Sequence, residues 1–180
     1  MVKVNNVQPL RSIEDIQKMK NSLIRYCSYR DYFLFVLGIN TGFRISDILP
    51  LTVKDIRDKK HIVIKEKKTG KLRSIHVNKC LKKEIDEYTS LMSYRELLFP
   101  SRKGLEPITL TQAYRVLQKA SKIAGIEHVG SRTLRKTFGY HHYQKHKDIA
   151  ALQEFFSHPS IRITKLYIGV IEDEIEDKLK

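Results

Sequence analysis

Residues 41–49 read TGFRISDIL, and this stretch separates two kinds of sequence pattern. The crowded apolar run before it, residues 29–40, is typical of a core helix that ends at Gly42. Residues 45–49 form a short helical turn that Pro50 closes. The pattern beyond Pro50 predicts three strands, at residues 52–56, 61–65 and 72–77. We therefore expect a small antiparallel sheet of three strands, joined by tight turns and inserted between helices.

Helical periodicity covers most of the remaining chain, with capping-box starts at Ser12 and Thr109. Helices are predicted after Ser12 and over about 78–91, 109–125, 132–145, 148–156 and 161–168, with an acidic one from 171. The fold class is therefore α+β, mostly helical with a small three-stranded antiparallel sheet. We expect a flexible leader at residues 1–10, one domain over 11–170 and an acidic tail helix at 171–180.

Charge is the strongest compositional signal. The 180 residues include 34 Lys and Arg against 20 Asp and Glu, which gives a net charge of +14 and a pI near 9.8. A domain this basic repels itself unless a polyanion is present, so double-stranded DNA or another nucleic acid is the first partner to consider. A solubilising surface or a ribosome-associated chain would also account for the charge.

Several classes of protein are disfavoured. Cys27 and Cys80 lie far apart, so neither a disulfide framework nor a zinc site is indicated, and the adjacent His141 and His142 lack the spacing of metal ligands. Met1 leads into polar sequence, unlike a secretory signal, and no apolar run approaches the ~20 residues of a membrane span. We expect a cytoplasmic protein that carries no metal.

Two stretches place arginines at helix starts. In TGFRISDIL, Arg44 and Asp47 are three residues apart and share a helix face, which also suits a surface ion pair. In SRTLRKTFGYHHYQ, residues 131–144, Arg132 and Arg135 share a face at a helix N-terminus, an end that favours anions. Arginine forks suit two oxygens of a phosphate.

Two further stretches supply a lysine-rich turn and an isolated tyrosine. The hairpin KEKKTGKLRSIHV, residues 65–77, projects cations that are either solvated or reach DNA. The stretch HPSIRITKLYIG, residues 158–169, places His158 nine residues before Tyr167. A phenol with an ordinary pKa of about 10 needs nearby cations or a base to act as a nucleophile, and otherwise serves as a packing aromatic.

Together these motifs resemble the catalytic domain of the tyrosine recombinase, or phage integrase, family. The resemblance covers residues 11–170 and depends on TGFRISDIL, the KTG hairpin, TLRKTF and SHPSI…T..Y occurring in order. It implies a DNA breaking-rejoining enzyme of mobile elements that recombines or integrates DNA site-specifically. Such enzymes work through a 3′-phosphotyrosyl intermediate and need neither metal nor ATP.

The resemblance also implies roles for individual residues. Arg44 and Arg135 resemble the pair that grips the scissile phosphate, and Lys68 resembles the general acid toward the leaving 5′-hydroxyl. His158 resembles the histidine that binds the phosphate or assists proton transfer, and Tyr167 the nucleophile. Asp47 resembles the acidic residue that supports the arginines. Further candidates for DNA contact are Lys67, Lys71, Arg73 and Arg162.

The sequence departs from the family at residue 132, where Arg132 stands in place of the usual histidine or lysine. Arginine keeps the charge but cannot shuttle a proton, so a catalytically impaired DNA-binding relic is an alternative. A topoisomerase-like relaxing enzyme is a further one. The 180 residues leave no room for the N-terminal clamping domain of full recombinases. By family analogy, the C-terminal tail supports self-association on DNA, as a tetramer.

Overall fold

A computed structural model describes residues 7–179 of the chain, apart from the side chain of residue 172. This range forms ten helices and two strands. In chain order they are α1 (Ile13–Tyr26), α2 (Tyr29–Thr41), α3 (Ile45–Ile48), α4 (Val53–Ile56), β1 (His61–Lys65), β2 (Leu72–His76), α5 (Lys79–Thr89), α6 (Leu110–Ala124), α7 (Thr133–His146), α8 (Ile149–Phe156), α9 (Ile161–Ile168) and α10 (Val170–Leu179). The α+β class is confirmed, as a mostly helical fold with a small antiparallel sheet.

Helix α2 lies at the centre of the main core. It packs against α1, α5 and α7, and a run of its residues from Phe33 to Leu37 is buried. The predicted end of this helix is confirmed, since Gly42 caps it with φ of 65° and its N–H bonds to the Gly38 carbonyl. A left-handed glycine lets the chain reverse there. The residues after the turn remain in the core, since Phe43, Ile45 and Ile48 are buried.

The sheet has two strands instead of the predicted three. Strands β1 and β2 pair antiparallel, from His61 opposite His76 to Lys65 opposite Leu72. Residues 53–56 form α4 because Asp55 accepts hydrogen bonds from the backbone N–H and hydroxyl of Thr52, which satisfies a helix start. Local capping thus outweighed the strand pattern, and only Thr52 retains a bridge, to Leu97.

The described part of the predicted leader, residues 7–10, makes contacts with the domain. Residues 1–6 lie outside the described range. The Leu10 side chain is buried, its N–H donates to Thr137 Oγ1 at 2.9 Å, and the Gln8 N–H donates to the His128 carbonyl oxygen at 3.0 Å. Residues 7–10 thus pack onto the domain beside α7.

A second apolar cluster holds the C-terminal helices together. Leu152, Phe156, Ile168 and Val170 are buried in it. A Cβ on Gly139 of α7 would lie 2.6 Å from Ile168 Cγ2, so the missing side chain permits the close approach of α9 to α7. Gly139 therefore places the helix that carries Tyr167 against the rest of the domain.

The acidic helix α10 packs against α9 of its own chain. Lys165 Nζ lies 2.7 Å from Glu174 Oε1. Arg11 joins the beginning of the domain to this end, since its Nη2 donates to the Gly169 carbonyl at 3.0 Å and its Nε to Asp173 Oδ1 at 3.1 Å. No helix within residues 7–179 has the length and apolarity needed to cross a bilayer.

Candidate active site

One cleft of about 500 Å³ brings the predicted site residues together. Its walls come from the α2–α3 turn, the β1–β2 hairpin, the start of α7 and the α8–α9 segment. The predicted residues that line it are Arg44, Lys68, Arg132, Arg135, His158 and Tyr167. They lie up to 123 residues apart in the chain, counted from position 44 to position 167, and the fold alone unites them.

Arg135 is the most deeply placed cation of the cleft, with 6% of its surface exposed. Its Nη1 donates to the Gly42 carbonyl oxygen at 2.7 Å, and its guanidinium lies 4.6 Å from the centre of the Phe156 ring. Burial lowers the pKa of Arg135 to about 10, which still leaves it charged at neutral pH. Its buried Nη2 makes no hydrogen bond to the described residues, although it lies 3.7 Å from Oε1 of Glu66. A buried donor without a partner is costly, and an anion in the cleft is a suitable acceptor for it.

Arg44 approaches the same space from the N-cap of α3. Its Nη1 lies 2.5 Å from Oε1 of Glu66, and that same oxygen lies 3.7 Å from Nη2 of Arg135. The Arg44 side chain is 28% exposed, so part of its fork remains open to the cleft. Two guanidiniums thus share one carboxylate and face one cavity.

Glu66 was missed by the sequence analysis. It follows β1, whose Ile62 and Ile64 are buried, and it continues their alternation as a residue that is 1% exposed. Burial alone would raise the pKa of its carboxyl, but the hydrogen bond from Thr69 and the charges of nearby arginines hold the pKa below the usual value. The available signal was its register, since every second residue of a half-buried strand points inward.

Asp47 is buried, but its closest contact is with the hairpin instead of Arg44. Its Oδ1 accepts from the Lys67 backbone N–H at 2.9 Å, whereas its Oδ2 lies 3.9 Å from Arg44 Nη1. The carboxylate therefore fixes the backbone just before Lys68, and it contributes negative charge near the Arg44 fork.

The lysines of the hairpin turn point outward. Lys67, Lys68 and Lys71 are exposed, and Lys68 lines the cleft. Gly70, with φ of 69°, allows the turn, and its N–H bonds to the Glu66 carbonyl at 2.8 Å. The turn thus presents one lysine to the cleft and its neighbours to solvent.

Arg73, which is also predicted to contact DNA, lies largely within the protein. Only 11% of its side chain is exposed, and its Nε lies 3.6 Å from Glu66 Oε2. Its Nη2 donates to the hydroxyl of Ser157, which also accepts from Lys71 Nζ. Arg73 therefore ties the hairpin to the residue before His158. The fourth predicted contact residue, Arg162, is exposed on α9.

Tyr167 and His158 stack edge to face at the other wall of the cleft, with ring centres 4.9 Å apart. Burial raises the pKa of the Tyr167 phenol above its ordinary value, and the charges of Arg135, Arg132 and Arg44 oppose this rise without cancelling it. Burial, together with Arg135 and Arg44, lowers the pKa of His158, so its ring is neutral at pH 7. His158 Nδ1 lies 3.1 Å from Thr164 Oγ1.

Arg132 is exposed at the N-cap of α7, and its side chain makes no capping bond. It lines the cleft together with Tyr167, and its charge opposes the rise in the pKa of the phenol. The cleft therefore holds three arginines, a lysine, a neutral histidine and a tyrosine, which is a set suited to a phosphate diester.

Comparison with known proteins identifies the family of the chain. Residues 12–173 match the phage integrase family. The chain belongs to that family, and by class it is a DNA recombinase of the tyrosine type.

Individual relatives give the extent of the similarity. The chain is 52% identical over 167 residues to the probable integrase/recombinase YoeC of Bacillus subtilis, covering 93% of this chain and 92% of that protein. It is 27% identical to the tyrosine recombinase XerA of Pyrococcus furiosus, over 99% of this chain but 63% of XerA.

Among solved structures, the fold matches a XerH site-specific recombinase bound to difH substrate in a pre-cleavage complex. The TM-score is 0.70 at 25% identity, over 89% of this chain and 51% of that one. The chain thus spans nearly all of YoeC but about half to two thirds of these Xer recombinases.

Proposed function

We propose that the protein recombines duplex DNA site-specifically, by cutting and rejoining strands through a phosphotyrosyl link to Tyr167. The observation that carries this proposal is the unsatisfied, buried Nη2 of Arg135 in a cleft that also holds Arg44, Lys68 and the phenol. Catalysis of phosphoryl transfer depends mainly on positioning and on stabilising charge, and this cleft supplies both.

In the first step, the Tyr167 oxygen bonds to phosphorus and the bond from phosphorus to the 5′-oxygen breaks. Arg44 and Arg135 hold the non-bridging oxygens, and Lys68 gives a proton to the leaving 5′-oxygen. A free 5′-hydroxyl of a partner strand then gives its proton to Lys68 and attacks the phosphotyrosine. The bond from phosphorus to the Tyr167 oxygen breaks, the phenol regains its proton from the protonated base, and the backbone is resealed. The covalent link keeps the energy of the cut bond, so the chemistry balances without a nucleotide cofactor.

The phenolic proton goes to His158 in this scheme. Thr164 Oγ1 lies 3.2 Å from the Ser160 carbonyl oxygen, which only accepts, so the hydroxyl proton points there. The same hydroxyl oxygen is then the acceptor for Nδ1–H of His158, which leaves the lone pair of the neutral ring on Nε2. Nε2 can therefore accept the phenolic proton, which the guanidinium of Arg132 cannot do because it is always protonated.

A suicide-substrate assay tests the proposal. A library of nicked duplexes with randomised cores is first enriched for binding and then run on denaturing gels with wild-type protein and Tyr167→Phe. We expect a covalent adduct with the wild type alone. Saturated binding without any adduct from the wild type would contradict the catalytic proposal.

The second candidate is a DNA-binding relic, which the exposed Arg132 in the cleft favours. It predicts binding that weakens steeply with salt but no cleavage. Arg132→His separates the two: an adduct formed by this variant but not by the wild type would establish an intact fold that lost its base.

Partners and assembly are part of the same proposal. The exposed Lys67, Lys71 and Arg162 contact the DNA backbone. The protein acts in the cytoplasm, on the nucleoid when bound. Copies of the chain associate on DNA, as a tetramer, through the C-terminal tail. The apolar side chains of Ile175 and Leu179, 52% and 82% exposed, are available to such a contact.

A further inference from the structure

We propose that Glu66 is a positioning residue that holds Arg44 and Arg135 as a pair before DNA arrives. This inference rests on the proposed function, because it concerns the same cleft. Glu66 does not itself contact the DNA, since only 1% of its side chain is exposed. Its effect is exerted through the arginines.

The two oxygens of the carboxylate have different neighbours. Oε1 faces the cleft arginines, 2.5 Å from Arg44 Nη1 and 3.7 Å from Arg135 Nη2. Oε2 faces the hairpin, accepting from Thr69 Oγ1 at 2.5 Å and lying 3.6 Å from Arg73 Nε. One buried anion therefore connects both arginines to the turn that carries Lys68.

Charge explains why an anion is needed at this position. Guanidiniums that converge on one cavity repel one another, and the repulsion is strong where water is excluded. Arg135 cannot move away, because Gly42 and Phe156 hold it. Arg44 is 28% exposed and can turn to solvent, and Glu66 Oε1, 2.5 Å from its Nη1, holds it more closely than Asp47 Oδ2 at 3.9 Å.

The same contacts would suit a purely structural role, in which Glu66 only anchors the hairpin. The two roles differ in what they predict for the charge. A structural anchor needs hydrogen-bond acceptors, which an amide of the same size retains in part. A positioning anion needs the charge itself, so Glu66→Gln tests the proposal at nearly constant volume. Glu87→Gln, on the exposed face of α5, makes the same charge change outside the cleft.

The first measurement uses free protein and needs no cleavage. In ¹⁵N spectra of the arginine side chains, we expect restrained Nη signals for Arg44 in the wild type and in Glu87→Gln. We expect averaged signals for Arg44 in Glu66→Gln, whereas Arg135 remains restrained. An unchanged Arg44 signal in Glu66→Gln overturns the proposal.

The second measurement is the single-turnover rate of adduct formation at saturating DNA. Misplacing a reacting group by about 1 Å can cost ~10²-fold, so we expect Glu66→Gln to be about 10–100-fold slower with a Kd within about threefold of wild type. A wild-type rate overturns the proposal. If no protein forms an adduct, the proposed function fails, and the arginine spectra alone decide the role of Glu66.

A second pair of variants serves if Glu66→Gln does not fold. Thr69 lies on the exposed turn, and Thr69→Val removes its hydrogen bond to Oε2 whereas Thr69→Ser keeps the hydroxyl. We expect Thr69→Val to be about threefold to tenfold slower at an unchanged Kd, as the loss of one charge-assisted bond implies, and Thr69→Ser to restore the rate. Equal rates for both variants overturn the proposal.

Discussion

The Arg135 guanidinium donates to the carbonyl oxygen of Gly42 at 2.7 Å, which fixes the first turn of α7 against the end of α2. Glycine is required at position 42 for two reasons. Its φ is 65°, and a Cβ would lie 2.3 Å from Phe138 Cδ1. The backbone that receives Arg135 therefore exists only because this residue has no side chain.

Gly42→Ala should lower the free energy of unfolding by about 2–4 kcal/mol, because it adds both left-handed strain and overpacking. Gly125→Ala is a matched control, since Gly125 also caps a helix, with φ of 70°, but has no atom within 4 Å of its would-be Cβ. Its cost should be about 1–2 kcal/mol from strain alone. Urea unfolding measures both, and equal losses would contradict the steric explanation.

Tyr167→Phe should abolish the covalent adduct but leave DNA affinity and stability nearly unchanged. The ring keeps its edge-to-face contacts with Phe156 and His158, at 5.3 and 4.9 Å between centres, and only the phenolic oxygen is lost. Denaturing gels and fluorescence anisotropy provide the two measurements. An adduct that persists in this variant would place the nucleophile elsewhere.

Lys68→Ala should slow cleavage by about 10²–10⁴-fold, the usual cost of losing a general acid. A substrate with sulfur in place of the bridging 5′-oxygen should restore the rate, because a thiolate leaves without a proton. Lys83→Ala, an exposed lysine of α5, provides the control. If the sulfur substrate does not restore cleavage, Lys68 is not the acid, and Lys67 and Lys71 are tested in the same way.

The rate of adduct formation should fall on the acid side with a midpoint below 6.5, the ordinary pKa of histidine, because burial, Arg135 and Arg44 lower the pKa of His158. The same shift affects stability. As the pH falls, His158 takes up a proton at a higher pH in the unfolded state than in the folded state. The contribution of His158 to the free energy of unfolding is therefore complete above pH 6.5 and is lost as the pH falls through the folded-state pKa.

His158→Gln isolates this effect from that of His142, whose pKa burial also lowers. The variant should be slow at every pH and should lose the acid limb, and its stability should decline less than that of wild type between pH 6.5 and 5. Rate profiles and chemical denaturation at several pH values measure this. An acid limb that persists in the variant would assign it to another group.

The sequence predicted the elements of the cleft well because its motifs are local. The capping serines and the terminating glycines determine where helices begin and end, and these are properties of a few adjacent residues. The short α4 was missed because Val53 and Ile56 suit both a strand and a helical turn. The bond from Thr52 to Asp55 decides between them, and its strength depends on the surrounding packing.

The positions of Glu66 and Arg73 could not be predicted from the sequence alone. Both belong to a run of charged residues that resembles a solvated turn, but in the structure Glu66 is buried and the largely covered Arg73 side chain lies 3.6 Å from it. Their burial depends on Arg44 and Arg135, which come from distant segments. The sequence shows that a residue is charged, but only the long-range contacts show whether its side chain faces solvent or the interior.

The two bonds from Arg11 have a mechanical consequence. One bond is to Gly169, which separates α9 from α10 two residues past Tyr167, and the other is to Asp173 of α10. If the last helix swung toward another subunit, it would have to release the start of the domain in the same motion. Movement of α10 therefore requires the N-terminal segment to give up its contacts with it. Removal of either segment should change the position of the Tyr167 phenol.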